Sequence, residues 1–389
     1  MGVYTEYLDR NLSFQQLTAE RKRQLKEISK LRGGRDVLVF AADLNQHDAP
    51  ISIGYPDLLP ISDQIANLSG QALDLILESP GGSGEAAEDI IRILRSRYDD
   101  LAVIVPGWAK SAATIMTMAG NEILMGTSSA LGPIDAQITW QGKVFSADAL
   151  LEGMEKIKQE VTTSGALNKA YIPILQGISP GELQSAENAL DFAKKLVTGW
   201  LATFKFQNWE THATSGKPVT DEEKSKRAEE IASTLCHHRR WLTHGRSITM
   251  RDLQDMGLRI TDYSQSPELE EAIRRYYTLL EMTFAGTTVY KIFETPTSQI
   301  YRLKGAAPAS GQLAQLAAKA DHVTAETDCP KCRNKLKIQV NFKKGVGLET
   351  GALPFPANNK LKCPSCGVEV DVGDLRRQLE LQFKKRVVT

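Results

Sequence analysis

Two stretches of the chain repeat one local plan, and that plan constrains the fold more than any bulk property. ALDLILES (72–79) runs into PGGSG and then into EAAEDIIRILRSRY. LAVIVP (101–106) runs into GWAKS and then into AATIMTMAG. Each is an apolar run short enough for a strand, a turn of small residues, and a helical pattern. In the first helix Ala87, Ile90, Ile91 and Leu94 share one face. RDVLVFAAD (35–43) and NEILMG (121–126) supply two more apolar strands. Strands without polar alternation, separated by helices, predict a largely parallel sheet covered on both faces. The expected fold class is α/β.

Other signals divide the chain. Residues 13–34 read as a polar helix closed by Gly33-Gly34. Ser179, Pro180 and Glu182 form a helix start with a capping box, and Thr249 with Asp252 forms a second. GAAPASGQLAQLAAKA reads as a linker. The expected organisation is an N-terminal helix (1–34), a catalytic core (35–215), a helical extension (216–304), a linker (305–321) and a C-terminal module (322–389).

Why would a chain place a hydroxyl, Ser111, where a buried strand becomes a buried helix? The plain answer is a helix N-cap. The chemical answer is a nucleophile. A serine acts as one only with a base and with donors for an oxyanion. Gly81 and Gly82 can bring backbone N–H groups close to an anion, and Ala112 adds a third at the start of its helix.

The order and spacing of ESPGGSGEAAEDIIRIL and VPGWAKSAATIMTMAGNEILMGTSSALGPIDAQI resemble the Clp-type peptidase and crotonase superfamily. Within it they are most similar to the serine dehydrogenase proteinase family, a relative of signal peptide peptidase A. The resemblance extends through CHHRRWLTHGRSITMRDLQDMGLRI and covers roughly residues 13–295, with SALGPID and LTHGR the most specific segments. The chain departs from the usual pattern at Lys110, where an apolar residue is common, and at Ala113, where glycine is common. The resemblance implies a Clp/crotonase-like core, a serine peptidase activity on polypeptides, and assembly into a homo-oligomer.

The base is less directly read. Clp-type peptidases carry a histidine shortly after the nucleophile, but none of the six histidines lies between residues 48 and 211. His237, His238 and His244 are expected to be packing or hydrogen-bonding groups. Signal peptide peptidases use a Ser-Lys dyad, and SGALNKAYIPILQGISPGEL has the form of their lysine segment. Lys169 is therefore the expected base, with Lys156 and Lys158 as rivals in a charged stretch. A lysine base must be buried away from acids to lose its proton. ALNKAYIPIL promises such a setting, and Asp135 is then expected to be a structural turn residue.

Four of the five cysteines form two Cys-x-x-Cys pairs, Cys329/Cys332 and Cys363/Cys366. Each pair precedes a strand-like run, so a structural zinc ribbon is expected. Its lysines and arginines leave a protein or nucleic-acid partner open. The formal net charge of zero favours neither nucleic acid nor an anionic membrane as a partner of the whole chain. No signal core, membrane span or Walker motif is evident, so a cytoplasmic, ATP-independent peptidase is expected. A crotonase-like acyl-CoA hydrolase and a non-catalytic adaptor working through the ribbon are the alternatives.

Overall fold

The computed structural model describes residues 2–46, 48–140, 143–212, 215–304 and 321–388, apart from 374, 377–378 and 381–384. It falls into two compact units, Met1–Lys304 and Gly305–Thr389. The expected linker lies, but for residue 321, outside the described residues.

In the first unit a polar helix, α1 (Phe14–Leu31), leads into β1 (Asp36–Ala42). Helix α2 (Leu58–Ala66), β2 (Ala72–Glu78), α3 (Gly84–Arg95) and β3 (Asp100–Val105) follow. The Ser111 segment comprises β4 (Trp108–Ala109) and α4 (Ala112–Thr117). After it come β5 (Glu122–Met125) and β6 (Ala130–Leu131). Helices α5 (Ala147–Ser164), α6 (Pro180–Trp200) and α7 (Asp221–Cys236) project from this frame. The chain then returns through β7 (Thr261–Asp262), α8 (Pro267–Gly286), β8 (Val289–Glu294) and β9 (Gln299–Leu303).

The main sheet has seven strands in the order β9-β8-β1-β2-β3-β5-β7. The run from β1 to β7 is parallel, and β8 and β9 add an antiparallel edge. Successive residues of β1 serve opposite faces. Leu38 and Phe40 pack with α2 and α3, while Val37, Val39 and Ala41 pack with α1 and α8. Burial on both faces is why these strands read as unbroken apolar runs.

The extension expected to be helical over 216–304 ends instead in β8 and β9. KIFETPTSQIYRL mixes polar and apolar residues because β9 is a partly exposed edge strand, whereas Lys291 and Glu294 of the interior strand β8 are buried and paired with Asp57 and Arg21. A buried ion pair, Arg21 Nε to Glu294 Oε2 at 3.0 Å, ties α1 to β8. Among the described residues no helix is long and apolar enough to cross a membrane.

The second unit has β10 (His322–Asp328), β11 (Lys335–Asn341), β12 (Leu353–Pro354), β13 (Lys360–Lys362) and β14 (Glu369–Asp371). They form a three-stranded sheet and a two-stranded sheet.

Candidate active site

Strands β2 and β3 end side by side, and the turns that follow them are stitched together. Ser79 N donates to Trp108 O at 2.9 Å, and Lys110 N donates to Ser79 O at 3.0 Å. Glu78, fully buried below the junction, accepts from Gly107 N (3.1 Å) and Trp108 N (2.8 Å). Burial pushes its carboxyl up to about 8, against the pull of those N–H groups, so it is protonated at neutral pH.

Ser111 is held at φ 50° and ψ −120°, a conformation that a residue with a side chain seldom adopts. Its side chain makes no capping hydrogen bond, so the plain N-cap role does not apply. Packing enforces the strain. A Cβ on Gly81 would lie 2.6 Å from Ser111 Cβ and 2.7 Å from Lys110 O. A Cβ on Gly82 would lie 2.4 Å from Ile53 O. Only glycine lets these backbones approach so closely.

Three N–H donors were expected, and the structure separates them. Gly81 N already donates to Ser79 Oγ at 3.2 Å, which removes it from the oxyanion role. Gly82 is paired with Ile53 through its neighbours' groups, Ile53 N to Gly81 O and Ser83 N to Ile53 O. Alternation along the bridge turns its own N–H away from Ile53. Among the described residues neither Gly82 N nor Ala112 N donates a hydrogen bond. Both residues, with Ser111, line a cavity of about 590 Å³. Its far wall is α6, through Asn188, Phe192 and Ala193.

Asp135 also lines this cavity. It is buried, yet it gathers two imidazoles: His244 Nδ1 lies 2.7 Å from Oδ1, and His238 Nδ1 lies 3.0 Å from Oδ2. Burial works against its charge, but the bond and charge of His244, then the bond of His238, hold the carboxyl below its usual value. Asp135 is thus a buried carboxylate with two imidazole partners and not a plain turn residue. A histidine bonded to a carboxylate through Nδ1 keeps Nε2 for other work. The segment carrying His244 is fastened to Lys110, the residue before Ser111. Lys110 Nζ donates to Arg246 O (3.2 Å), Ser247 Oγ (3.0 Å) and Leu131 O (3.0 Å). Burial lowers the Lys110 amine to about 8, with Glu78 pulling the other way.

Residues 6–172 match the family of ClpP-like SDH-type serine proteinases. The resemblance read from the sequence is therefore found over β1 to β6, the two turns and Asp135, and the match does not extend to β7, β8 and β9. Two uncharacterized proteins of Methanocaldococcus jannaschii are each 27% identical, over 192 and 210 residues. The alignments cover 46% and 54% of this chain, and 64% and 58% of theirs. The chain thus spans about three fifths of the length of the curated relatives it matches. Among solved structures, a mutant of the 1510-N membrane-bound stomatin-specific protease aligns at 14% identity and TM-score 0.32, covering 57% of this chain and 79% of that one. ClpP1 from Listeria monocytogenes aligns at 11% identity and TM-score 0.30, covering 61% and 91%. At such scores the likeness says nothing of how this chain works.

Lys169 sits exposed on a short 3-10 turn (Lys169–Tyr171), and the cavity lining does not include it. The apolar setting expected from ALNKAYIPIL is absent, because no side chain of residues 165–177 is buried. Lys156 and Lys158 are exposed too, and Lys158 pairs with Glu155 at 3.3 Å. Sequence reasoning passed over Glu78 and gave Asp135, His238 and His244 lesser roles. An acid closing an apolar strand just before Pro-Gly-Gly was the available signal for Glu78.

In the second unit the four cysteine sulfurs lie within 4.8 Å of one another. Cys329 Sγ is 3.6 Å from Cys366 Sγ, and Cys332 Sγ is 3.7 Å from Cys363 Sγ. A tetrahedron with ~2.3 Å metal–sulfur bonds has edges of about 3.8 Å, so the residues fit a metal ion. The two knuckles share one turn: Arg333 N donates to Cys329 O at 2.8 Å, and Gly367 N to Cys363 O at 2.9 Å.

Proposed function

We propose that the chain is a serine peptidase with Ser111 as nucleophile. The observation that carries this reading is a strained serine whose Oγ caps nothing, beside two undonated N–H groups in one cavity. Ser111 Oγ attacks the substrate carbonyl, and the N–H groups of Gly82 and Ala112 receive the oxyanion. The amine leaves with a proton from the base, and water then releases the acyl group.

For the base we propose an imidazole held by Asp135, in place of the Lys169 dyad. An exposed ammonium stays protonated near neutral pH and takes no proton from serine. Of the two histidines, His244 has the shorter bond to Asp135. It also lies two residues before Arg246, whose carbonyl accepts from Lys110 Nζ, although the lining of the Ser111 cavity includes Asp135 and neither histidine. His238 then serves as the second donor that keeps Asp135 ionised and fixed.

The chain carries no motor of its own in this reading, so cleavage needs no ATP and favours small, unfolded or delivered polypeptides. The four thiolates hold zinc as a structural ion with no open position. Homo-oligomerisation and a cytoplasmic setting complete the reading. A fluorophosphonate probe tests it: covalent labelling at Ser111, lost in Ser111→Ala, is the expected result. Absence of labelling in the folded protein would favour the adaptor. Turnover of thioesters without peptide hydrolysis would favour the acyl-CoA enzyme.

A further inference from the structure

A second cavity, of about 750 Å³, lies at the opposite edge of the same parallel sheet, where β5 and β7 begin. It is bounded by the start of β5 at Glu122, by Lys205, Phe206 and Trp209, and by Arg259 before β7. Ser111 follows the carboxyl end of β3, whereas this cavity opens where β5 begins. Nothing in the peptidase reading uses it.

Its charges are unbalanced. Lys205 Nζ has one hydrogen bond, to Asn121 O at 3.3 Å. Among the described residues Arg259 has no hydrogen bond or ion pair. Two acids line the cavity, Glu210 and Glu122, and Glu122 is already taken by Arg32 Nη2 and Thr261 Oγ1, each at 2.7 Å. Among the described residues neither Lys205 nor Arg259 has an ion pair, and Glu210 is the one lining acid not already bonded, so two cations share this space with one free carboxylate. Lys205 is also placed by an unusual backbone, a π-helical turn over Leu201–Lys205 that extends α6. Such turns are rare and recur at functional sites. The wall beside the cations is aromatic, with Trp209 set edge-on to His212 at 5.5 Å and tilted against Phe206 at 5.6 Å.

The geometry points to a binding site for a small phosphate-bearing ligand, its charge on Lys205 and Arg259 and its remainder against Trp209. The site does not depend on the peptidase reading. Helix α6 links the two cavities in the chain: its earlier turns wall the Ser111 cavity, and its π-helical end presents Lys205 here.

Burial lowers the Lys205 amine to about 8, Glu122 opposes this, and Arg259 adds to it. Arg227, His212 and Glu210 also face the cavity. Binding should therefore weaken as pH rises through 8, when Lys205 loses its charge.

The test uses the full chain and three probes, inorganic pyrophosphate, adenosine monophosphate and citrate, by calorimetry and thermal shift. Pyrophosphate or the nucleotide should bind at or below ~1 mM and raise the melting temperature. Arg259→Gln, at an exposed position, should weaken binding roughly tenfold or more, as should Lys205→Met. Tighter binding of the nucleotide than of pyrophosphate, lost in Trp209→Ala, would assign the aromatic wall to a base. Three results would overturn the proposal: no binding of either phosphate probe, binding unchanged in both charge variants, or citrate binding alone.

Discussion

The molecule holds two constellations of reactive side chains, and they differ in what they leave open. Around the four cysteines every loop closes on itself, and all four sulfurs face one point. Around Ser111 the backbone is strained, two N–H groups lack acceptors, and a cavity stands in front of them. A closed cluster stores stability. An open one holds unsatisfied groups ready for a partner that arrives later, which is what catalysis requires. The difference predicts that the two sites respond oppositely to removal of their central atoms.

Metal removal should have the largest effect, and it should be purely structural. Structural zinc contributes apparent binding free energies of ~10–16 kcal/mol in small ribbons. A strong chelator, or Cys329→Ser with Cys363→Ser, should unfold the chain from about residue 325 onward, seen as loss of amide protection there. Hydrolysis of a short peptide should survive. If peptide hydrolysis falls with the ribbon, the second unit is not merely structural to itself.

Ser111→Ala should do the reverse. Peptide hydrolysis should drop by ~10⁴-fold or more while the melting temperature stays put. Ser111→Gly sharpens the point. It should be equally inactive but more stable by roughly 1 kcal/mol, because glycine adopts φ 50° without strain. A glycine variant less stable than wild type would mean that the strain argument is wrong.

How much of this was open to a reader of the sequence follows from chain distance. Everything from Glu78 to Ala112 lies within two consecutive strand-turn-helix units, and local rules place Gly81, Gly82 and Ser111 together. The cysteine pairs are local in the same sense. Asp135 and His244 meet across 109 residues, and no periodicity or capping rule brings them together. The burial expected for Lys169 is not found, for a related reason. A sequence shows that ALNKAYIPIL is apolar, but whether anything packs on it depends on the rest of the fold. Strands β8 and β9 were missed for two reasons: β9 is a half-exposed edge, and the apolar run of β8 is interrupted by Lys291 and Glu294, whose burial depends on the distant partners Asp57 and Arg21.

The base assignment gives the next effect. Asp135→Asn and His244→Gln should each lower kcat by ~10³–10⁴-fold, since a misplaced or missing imidazole disables the nucleophile. His238→Gln should cost about tenfold, and Lys169→Ala should change kcat less than about threefold. These figures separate the readings, because a Ser-Lys dyad requires Lys169→Ala to match Ser111→Ala.

The smallest effect should come from Lys110. Its ammonium joins the turn before Ser111 to Leu131 and to the segment bearing His244, through three acceptors. Burial lowers the amine to about 8, so it is charged at neutral pH and neutral well above 8. Losing the proton leaves two donors for three acceptors and loosens that segment. In the same range Glu78, also near 8, gains a charge beneath the junction. A new buried charge disturbs the junction, although it also favours the Lys110 ammonium, so the two titrations are linked and kcat should fall as pH rises above about 8. Lys110→Met keeps the length of the side chain and removes the donors. It should lower kcat by roughly tenfold at pH 7, through a small displacement of His244. It should also shrink the alkaline decline to the part that Glu78 causes, and Glu78→Gln in the same background should remove the rest. An alkaline decline that persists unchanged in the double variant would assign it to another group and release Lys110 from any part in positioning the base.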